Sequence, residues 1–501
     1  MNEIVKDRAM TPLRAVDKLR DPTLFVERAF VGGAWIYADD RGTLAVTDPA
    51  TMSAIGCVPS LGRQETRRAV QAAADALPSW SALTAAARAG LLERWYDLII
   101  ANIEDLATII TLEQGKPLAE ARTEIRYGAS FVKWFAEEAR RVYGETIPAN
   151  ESDRRIFVLK QAVGVCAAIT PWNFPIAMIT RKVGPALAAG CTIVVKPSEL
   201  TPYSSLALAV LAQRAGIPDG VLNVVTGLPE GIGSELTSNP TIRKLSFTGS
   251  TNVGRILMRQ CSETIKRVSF ELGGNAPFLI FDDADVDLAV AGLMASKFRN
   301  AGQTCVCANR ILVQDGIYPA LAKKLIEAVA ALKVGSGFDS DVAVGPLISR
   351  AAVEKVNRHV ANAIEGGAKT LLGGASGRDD QFCAPTILGD ATPDMLLARE
   401  ETFGPVAPLF RFSDPKEAVR FANATPFGLA SYVYTSSLNQ AFAVGEKLEF
   451  GMVGLNTGSV STEVAPFGGM KESGIGREGS RHGIDEYLEM KALHLGGVPS
   501  L

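Results

Sequence analysis

The chain runs to 501 residues with 47% hydrophobic content, enough for two or three lobes with cores of their own rather than a single one. Its 51 basic and 54 acidic residues leave a formal net charge of −3, so there is no basic field to attract nucleic acid and no polybasic patch for a membrane surface. The opening stretch M-N-E-I-V-K-D-R-A-M-T-P is charged and lacks an apolar core, and no apolar run approaches the roughly 18 residues of a membrane span.

A cytoplasmic protein acting on small molecules is therefore expected. Seven cysteines, at 57, 166, 191, 261, 305, 307 and 383, are odd in number and mostly set in apolar sequence, which is not a disulfide framework. With three histidines, at 359, 482 and 494, and no C-x-x-C pair, no metal is implied.

In chain order, the first sixty residues mix extended pieces at 29–35 and 43–47 with turn signals at Gly32-Gly33, Asp39-Asp40 and Asp48-Pro49, and read as a capping arm. Helical periodicity follows over 65–76, 84–102, 103–114 and 117–141, punctuated by Pro78, Gly115 and Pro117. Residues 144–162 read as extended. Apolar β-like runs at 164–169, 192–196 and 221–225 then alternate with helical segments at 176–189 and 204–215, a pattern that calls for a parallel sheet with helices on its faces. In such sheets ligands bind at the carboxyl ends of the strands.

The strand at 244–247 leads through Thr248-Gly249-Ser250 into a helix at 251–260, a turn where backbone can approach a pyrophosphate and a helix N-terminus offers free N–H groups, although G-x-G-x-x-G is absent. A second α/β pattern begins after Gly274: a strand at 276–281, a helix at 286–300 and a strand at 310–314. Helices at 319–332 and 351–365 follow, then a glycine-rich loop near 373–377, strands near 385, 406 and 431, and an extended tail at 483–495.

The chemistry gathers at 297–310, K-F-R-N-A-G-Q-T-C-V-C-A-N-R. Cys305 follows the small and polar Gly302-Gln303-Thr304, where backbone amides can sit close to a reacting atom, with Arg299 six residues earlier and Cys307 two later. A base for thiol chemistry is not a histidine here, since none lies near a motif, and Glu271 stands in a glycine-rich turn at a strand end. Asn173 is a side-chain amide pinned between two prolines and, with the Cys305 N–H, can serve an oxyanion. Lys196 leaves the carboxyl end of its strand where a ribose or phosphate would lie. Glu199 can accept from ribose hydroxyls, and Ser198 with Lys196 can accept a phosphate.

The motifs G-Q-T-C at 302–305, E-L-G-G at 271–274, P-W-N-F-P at 171–175, K-P-S-E at 196–199, F-T-G-S at 247–250, E-E-T-F-G-P at 400–405 and P-F-G-G at 466–469 span nearly the whole chain. In kind and order they resemble the signatures of the aldehyde dehydrogenase superfamily. M-I-T-R-K at 178–182, the K-F-R-N lead-in, C-V-C and S-T-E-V-A-P-F-G-G most resemble bacterial succinate-semialdehyde dehydrogenases.

The resemblance implies an α/β fold of two doubly wound lobes with a small β oligomerisation flap. The dinucleotide-binding domain would comprise 1–141 and 162–273, the catalytic domain 274–470, and the oligomerisation segments 142–161 and 471–501. It implies Cys305 as nucleophile, Glu271 as base and Asn173 as oxyanion donor. Trp172, Lys196, Ser198, Glu199, Phe247, Gly249, Ser250, Glu401 and Phe403 would hold NAD or NADP. Arg181, Arg299 and Ser461 would grip the substrate's far carboxylate, and Cys305 with Cys307 would form a redox pair.

NAD is the favoured cofactor because a carboxylate at 199 repels a 2′-phosphate. The expected reaction is oxidation of succinate semialdehyde to succinate through a cysteine thioester, in a homodimer or homotetramer. Glutarate semialdehyde is the alternative substrate, since one methylene separates the two. A cofactor-free cysteine hydrolase or acyl transferase, and a thiol redox protein on Cys305 and Cys307, are the other classes the residues leave open.

Overall fold

In a computed structural model, which describes residues 15–374 and 381–498, the described residues form two large mixed sheets, a three-stranded flap and a two-stranded ribbon. The first sheet has eight strands in the order Gly474–Ile475, Arg267–Glu271, Ile242–Thr248, Val165–Ile169, Thr192–Lys196, Leu222–Val224, Ala29–Val31 and Ala34–Ile36. Its five strands from Arg267–Glu271 to Leu222–Val224 are parallel.

Side chains on these strands alternate between two cores. Cys166, Ala168, Ile193 and Val195 pack with the helices Ala85–Ala101, Leu118–Glu138, Ala177–Ala189 and Tyr203–Arg214. Val165, Ala167 and Val194 pack with Arg63–Ser81, Pro229–Ser238 and Thr251–Ser262 on the other face. Both faces are thus buried, which is why V-C-A-A-I and T-I-V-V-K read as continuous apolar runs without alternation.

The winding reverses between Val165–Ile169 and Ile242–Thr248: later strands are added outward from the first in one direction up to Leu222–Val224, then in the other. A crevice opens at the carboxyl ends of strands at such a reversal. The second sheet, Lys369–Leu372, Thr386–Gly389, Val406–Phe412, Ala308–Gln314, Ala276–Ile280, Ala430–Tyr434 and Met452–Leu455, is parallel apart from its antiparallel first pair. The expected two-lobed α/β class is the class observed. The flap pairs Arg155–Ala162 with Glu145–Ile147 on one side and Leu488–Leu495 on the other, all antiparallel.

Most elements fall within a residue or two of expectation. The helix expected over 65–76 runs Arg63–Ser81, because Pro78 sits in its last turn, where one lost N–H bond is cheap. The piece expected to extend over 29–35 is instead a hairpin, Ala29–Val31 against Ala34–Ile36. The helix expected over 286–300 is α-helical only over Val286–Leu293, then widens into a π turn at Met294–Phe298. Asn300 and Ala301 follow in the left-handed region, with φ of 51° and 55°. The loop expected near 373–377 lies partly outside the described residues.

Candidate active site

Two loops carry most of the site. One leaves the Val165–Ile169 strand as Thr170-Pro171-Trp172-Asn173, and the other descends from the π turn to Cys305.

The cysteine loop is held in a strained path by buried amides. Asn300 donates its N–H to Glu120 Oε2 (2.8 Å) and its Nδ2 to the Asn173 carbonyl (3.0 Å), while its Oδ1 accepts from Gln114 Nε2 (2.9 Å). Gln303 bonds the Asn300 carbonyl through Nε2 (3.1 Å) and accepts the Ile348 N–H (2.9 Å). Non-glycine residues in the left-handed region cost about 1–2 kcal/mol each, and this network offsets that cost. Gly302, at φ +75°, cannot be larger: a Cβ there would lie 2.2 Å from the Gly404 carbonyl oxygen. The G-Q-T-C and E-E-T-F-G-P motifs therefore meet backbone to backbone. Gly274 of E-L-G-G is fixed in the same way, its Cβ position lying 2.4 Å from the Cys305 carbonyl oxygen.

Cys305 opens onto a cavity of about 260 Å³ at the winding reversal, among Trp172, Asn173, Thr248, Gly249, Glu401 and Phe403. Burial pushes its thiol up to about 12, with the neighbouring Glu271 and Glu401 charges adding and Arg181 opposing. Glu271 is buried, and its Oε2 has no hydrogen-bond partner among the described residues. Burial, and then the Glu478 charge, hold its carboxyl well above the usual range. Asn173 donates one N–H of its amide to the Gln303 carbonyl (3.0 Å), and the amide's second donor has no further partner among the described residues.

Glu401 accepts the Gly274 N–H (3.2 Å), and burial raises it to about 7. Trp172 and Phe403 face each other edge to face, 5.6 Å between centroids, and Phe403 is itself strained at φ 59°.

Ser250 caps the Thr251–Ser262 helix, accepting from the Val253 N–H (3.3 Å), and Gly249 places the turn above Phe247, which packs on Phe270. The helix N-terminus thereby faces the crevice with the dipole end that suits phosphate. Lys196 is buried and pairs with Glu199 at 2.7 Å. Burial opposes ionisation of Glu199, but the Lys196 ammonium prevails and holds its carboxyl below the usual range. Ser198 Oγ accepts the Leu200 N–H (3.2 Å). The Thr248 hydroxyl lines the crevice without a hydrogen-bond partner among the described residues, an unanswered polar group that fits a dinucleotide there.

A second cavity, about 470 Å³, lies across the P-W-N-F-P loop: Phe174 lines it together with Tyr127 and Arg299. Arg299 Nε is buried without a partner among the described residues. Ser461 lies beside the Tyr127 hydroxyl. Arg181 is deeper than expected, only 1% exposed, with Nη2 2.8 Å from Glu478 Oε2 in a contact off the hydrogen-bonding axis, and its face 3.8 Å over Phe467. Lys182 also bonds Glu478.

Cys307 is buried away from this opening, its Sγ taking Lys297 Nζ at 3.3 Å. All seven cysteines are free thiols. Glu478, Tyr127, Lys297 and the Asn300–Gln303 network were not singled out from sequence. A signal for Glu478 existed, since the adjacent Arg181 and Lys182 on an otherwise apolar helix demand a buried counter-ion.

Comparison with known proteins agrees with this geometry. The model of the aldehyde dehydrogenase family matches residues 35–493, and the chain belongs to that family. A glutarate-semialdehyde dehydrogenase of Pseudomonas aeruginosa is 59% identical over 482 residues, covering 96% of this chain and 100% of its own. An NADP(+) succinate-semialdehyde dehydrogenase of Escherichia coli is 58% identical over 480 residues, covering 96% and 100%. The crystal structure of a succinate-semialdehyde dehydrogenase from Burkholderia pseudomallei, 57% identical, matches with a TM-score of 0.94 over 95% of this chain and 99% of that one.

Proposed function

We propose that the protein oxidises a short aldehyde bearing a distal carboxylate, succinate semialdehyde foremost and glutarate semialdehyde next, with NAD or NADP. The observation that carries this is the placement of two cavities on either side of the P-W-N-F-P loop. One holds Cys305 at a dinucleotide-type crevice, and the other holds Arg299, whose Nε has no hydrogen-bond partner among the described residues. The similar proteins named for glutarate and succinate semialdehyde support the same reading.

Cys305 Sγ would attack the carbonyl carbon, giving a thiohemiacetal whose oxyanion accepts from the second Asn173 N–H and the Cys305 N–H. When bound, the nicotinamide supplies the hydride acceptor. Trp172, Phe403 and Glu401 would orient it, and Lys196, Glu199, Gly249 and Ser250 would hold the remainder. Glu271 then takes a proton from the water that cleaves the Cys305 thioester, its unpartnered Oε2 being the atom free to do so. Arg299 would fix the far carboxylate at the cavity wall, with Arg181 and Ser461 supporting it from behind.

NAD is favoured over NADP because Lys196 keeps Glu199 ionised beside the ribose. The dinucleotide lobe is assigned to 1–141 and 162–273, the catalytic lobe to 274–470, and the flap segments 142–161 and 471–501 to assembly of a homodimer or homotetramer. Seven free thiols suit a cytoplasmic address. Among the described residues, no helix is long and apolar enough to cross a membrane.

The test is substrate preference in Arg299→Ala and Arg299→Lys. Both should raise KM for succinate semialdehyde far more than for butanal, because lysine keeps the charge but loses the fork. Equal effects on both aldehydes would remove the anion subsite from the assignment.

A further inference from the structure

We propose that Tyr127 is a specificity-determining residue of the anion subsite, its phenolic O–H donating to the distal anionic oxygen of the substrate, and that Arg181 acts through it as a positioning residue. This rests on the function proposed above and adds a donor to it. The 470 Å³ cavity is lined along one face of the Leu118–Glu138 helix by Glu120, Thr123, Glu124 and Tyr127, spaced by three and four residues.

The two acids on that face are already engaged. Glu124 pairs with Lys116 at 2.6 Å and accepts the Ile176 N–H at 2.9 Å, and Glu120 accepts the Asn300 N–H. Tyr127 differs. Its ring is held edge to face against Phe131, 5.0 Å between centroids, so its hydroxyl has a fixed place.

Around that hydroxyl stand Arg181, whose Nη1 donates to it at 3.5 Å, the Ser461 side chain, and the Arg299 charge. Guanidinium groups donate and never accept. With its oxygen accepting from Arg181, the phenol keeps one proton to give, into a cavity that Arg299 also lines while Glu120 and Glu124 are held by Asn300 and by Lys116. The acceptor that suits this place is an anion. Arg181 itself is walled off by Glu478 and Phe467, so its route to the cavity is the Tyr127 oxygen. Of the groups expected to read the carboxylate, Arg299 lines the cavity whereas Arg181 and Ser461 are not among its lining residues; Tyr127, not expected from the sequence, lines it beside Arg299.

Tyr127→Phe keeps the ring on Phe131 and removes only the hydroxyl. The expected result is a rise in KM for succinate semialdehyde of about tenfold or more, with kcat moving by less than about twofold, as for a contact made alike in ground and transition states. KM for butanal, which carries no anion, should move by less than about threefold. In the Tyr127→Phe background, Arg181→Gln should add much less to KM than it does in the parent, because the two act in series.

An unchanged KM for succinate semialdehyde, or an equal rise for both aldehydes, overturns the proposal and leaves the phenol with a packing role. Full additivity with Arg181→Gln overturns the positioning half. Failure of the underlying function looks different: the parent protein itself would show no preference for succinate semialdehyde over butanal, and that result would overturn both.

Discussion

Gly302→Ala tests the contact on which the site's geometry depends. The added Cβ would stand 2.2 Å from the Gly404 oxygen and 2.5 Å from its carbon, and 3.1 Å from the Lys297 oxygen, at φ +75°. All three neighbours are backbone, so none can swing aside as a side chain would, and the two loops have to part by most of an ångström. The left-handed conformation costs an alanine about 1–2 kcal/mol and the forced separation about 1–3 kcal/mol more. A clear fall in unfolding temperature is expected by scanning fluorimetry.

The larger effect should be on turnover. Gly404 follows Phe403, and Gly302 stands three residues before Cys305, so parting them misplaces the nucleophile relative to the crevice. Misplacement on this scale costs on the order of 100-fold in rate. Steady-state kinetics and the alkylation rate of Cys305 should both show it. A variant within about twofold of the parent in kcat, with an unchanged unfolding temperature, would refute the reasoning that these motifs are locked backbone to backbone.

Glu271→Gln should lower steady-state kcat by roughly 10²–10⁴ yet still release reduced cofactor in a burst limited to the enzyme present; Cys305→Ala should lose turnover altogether, and full steady-state activity in it would end the proposal. Since burial disfavours both anions, the Glu271 carboxylate and the Cys305 thiolate become populated as pH rises, so kcat/KM should climb from the acid to the alkaline side of neutrality; a flat profile contradicts this. For the cofactor, Glu199→Ser should move preference toward NADP by removing the charge that Lys196 stabilises, and a parent at least about tenfold better with NADP would reverse the assignment. At the C-V-C pair, peroxide should oxidise the Cys305 thiolate to a sulfenic acid that Cys307 attacks with loss of water, giving a 305–307 disulfide that dithiothreitol reduces. Mass mapping should find the bridge, and a Cys307→Ala variant that recovers from peroxide as fully as the parent would show that Cys307 only packs against Lys297.

Much of the fold was legible because buried parallel strands such as Thr192–Lys196 and capped helices such as Thr251–Ser262 carry their signals locally. The path into Cys305 was not. Asn300 and Ala301 are not residues that announce left-handed backbone, and only distant partners, Gln114, Glu120 and Asn173, hold them there. The π turn at Met294–Phe298 escaped for the same reason: its widening turns Lys297 inward onto Cys307 and Asn309 across a strand that the periodicity of 286–300 does not describe.

Arg181 shows the opposite limit. The motif containing it pointed to the substrate, whereas its buried pairing with Glu478 joins residues nearly three hundred positions apart, and no local pattern contains both. Pairing of Arg155–Ala162 with Leu488–Leu495 is likewise a tertiary fact that either segment's sequence leaves open.

The most direct test of the central claim is an initial-rate panel following reduced-cofactor absorbance, with succinate semialdehyde, glutarate semialdehyde and butanal, each with NAD and with NADP. The proposed chemistry predicts turnover that needs the cofactor, is lost in Cys305→Ala, and has kcat/KM for the two semialdehydes well above that for butanal. Aldehyde or ester turnover without any cofactor reduction, or butanal as good a substrate as the semialdehydes, would contradict it.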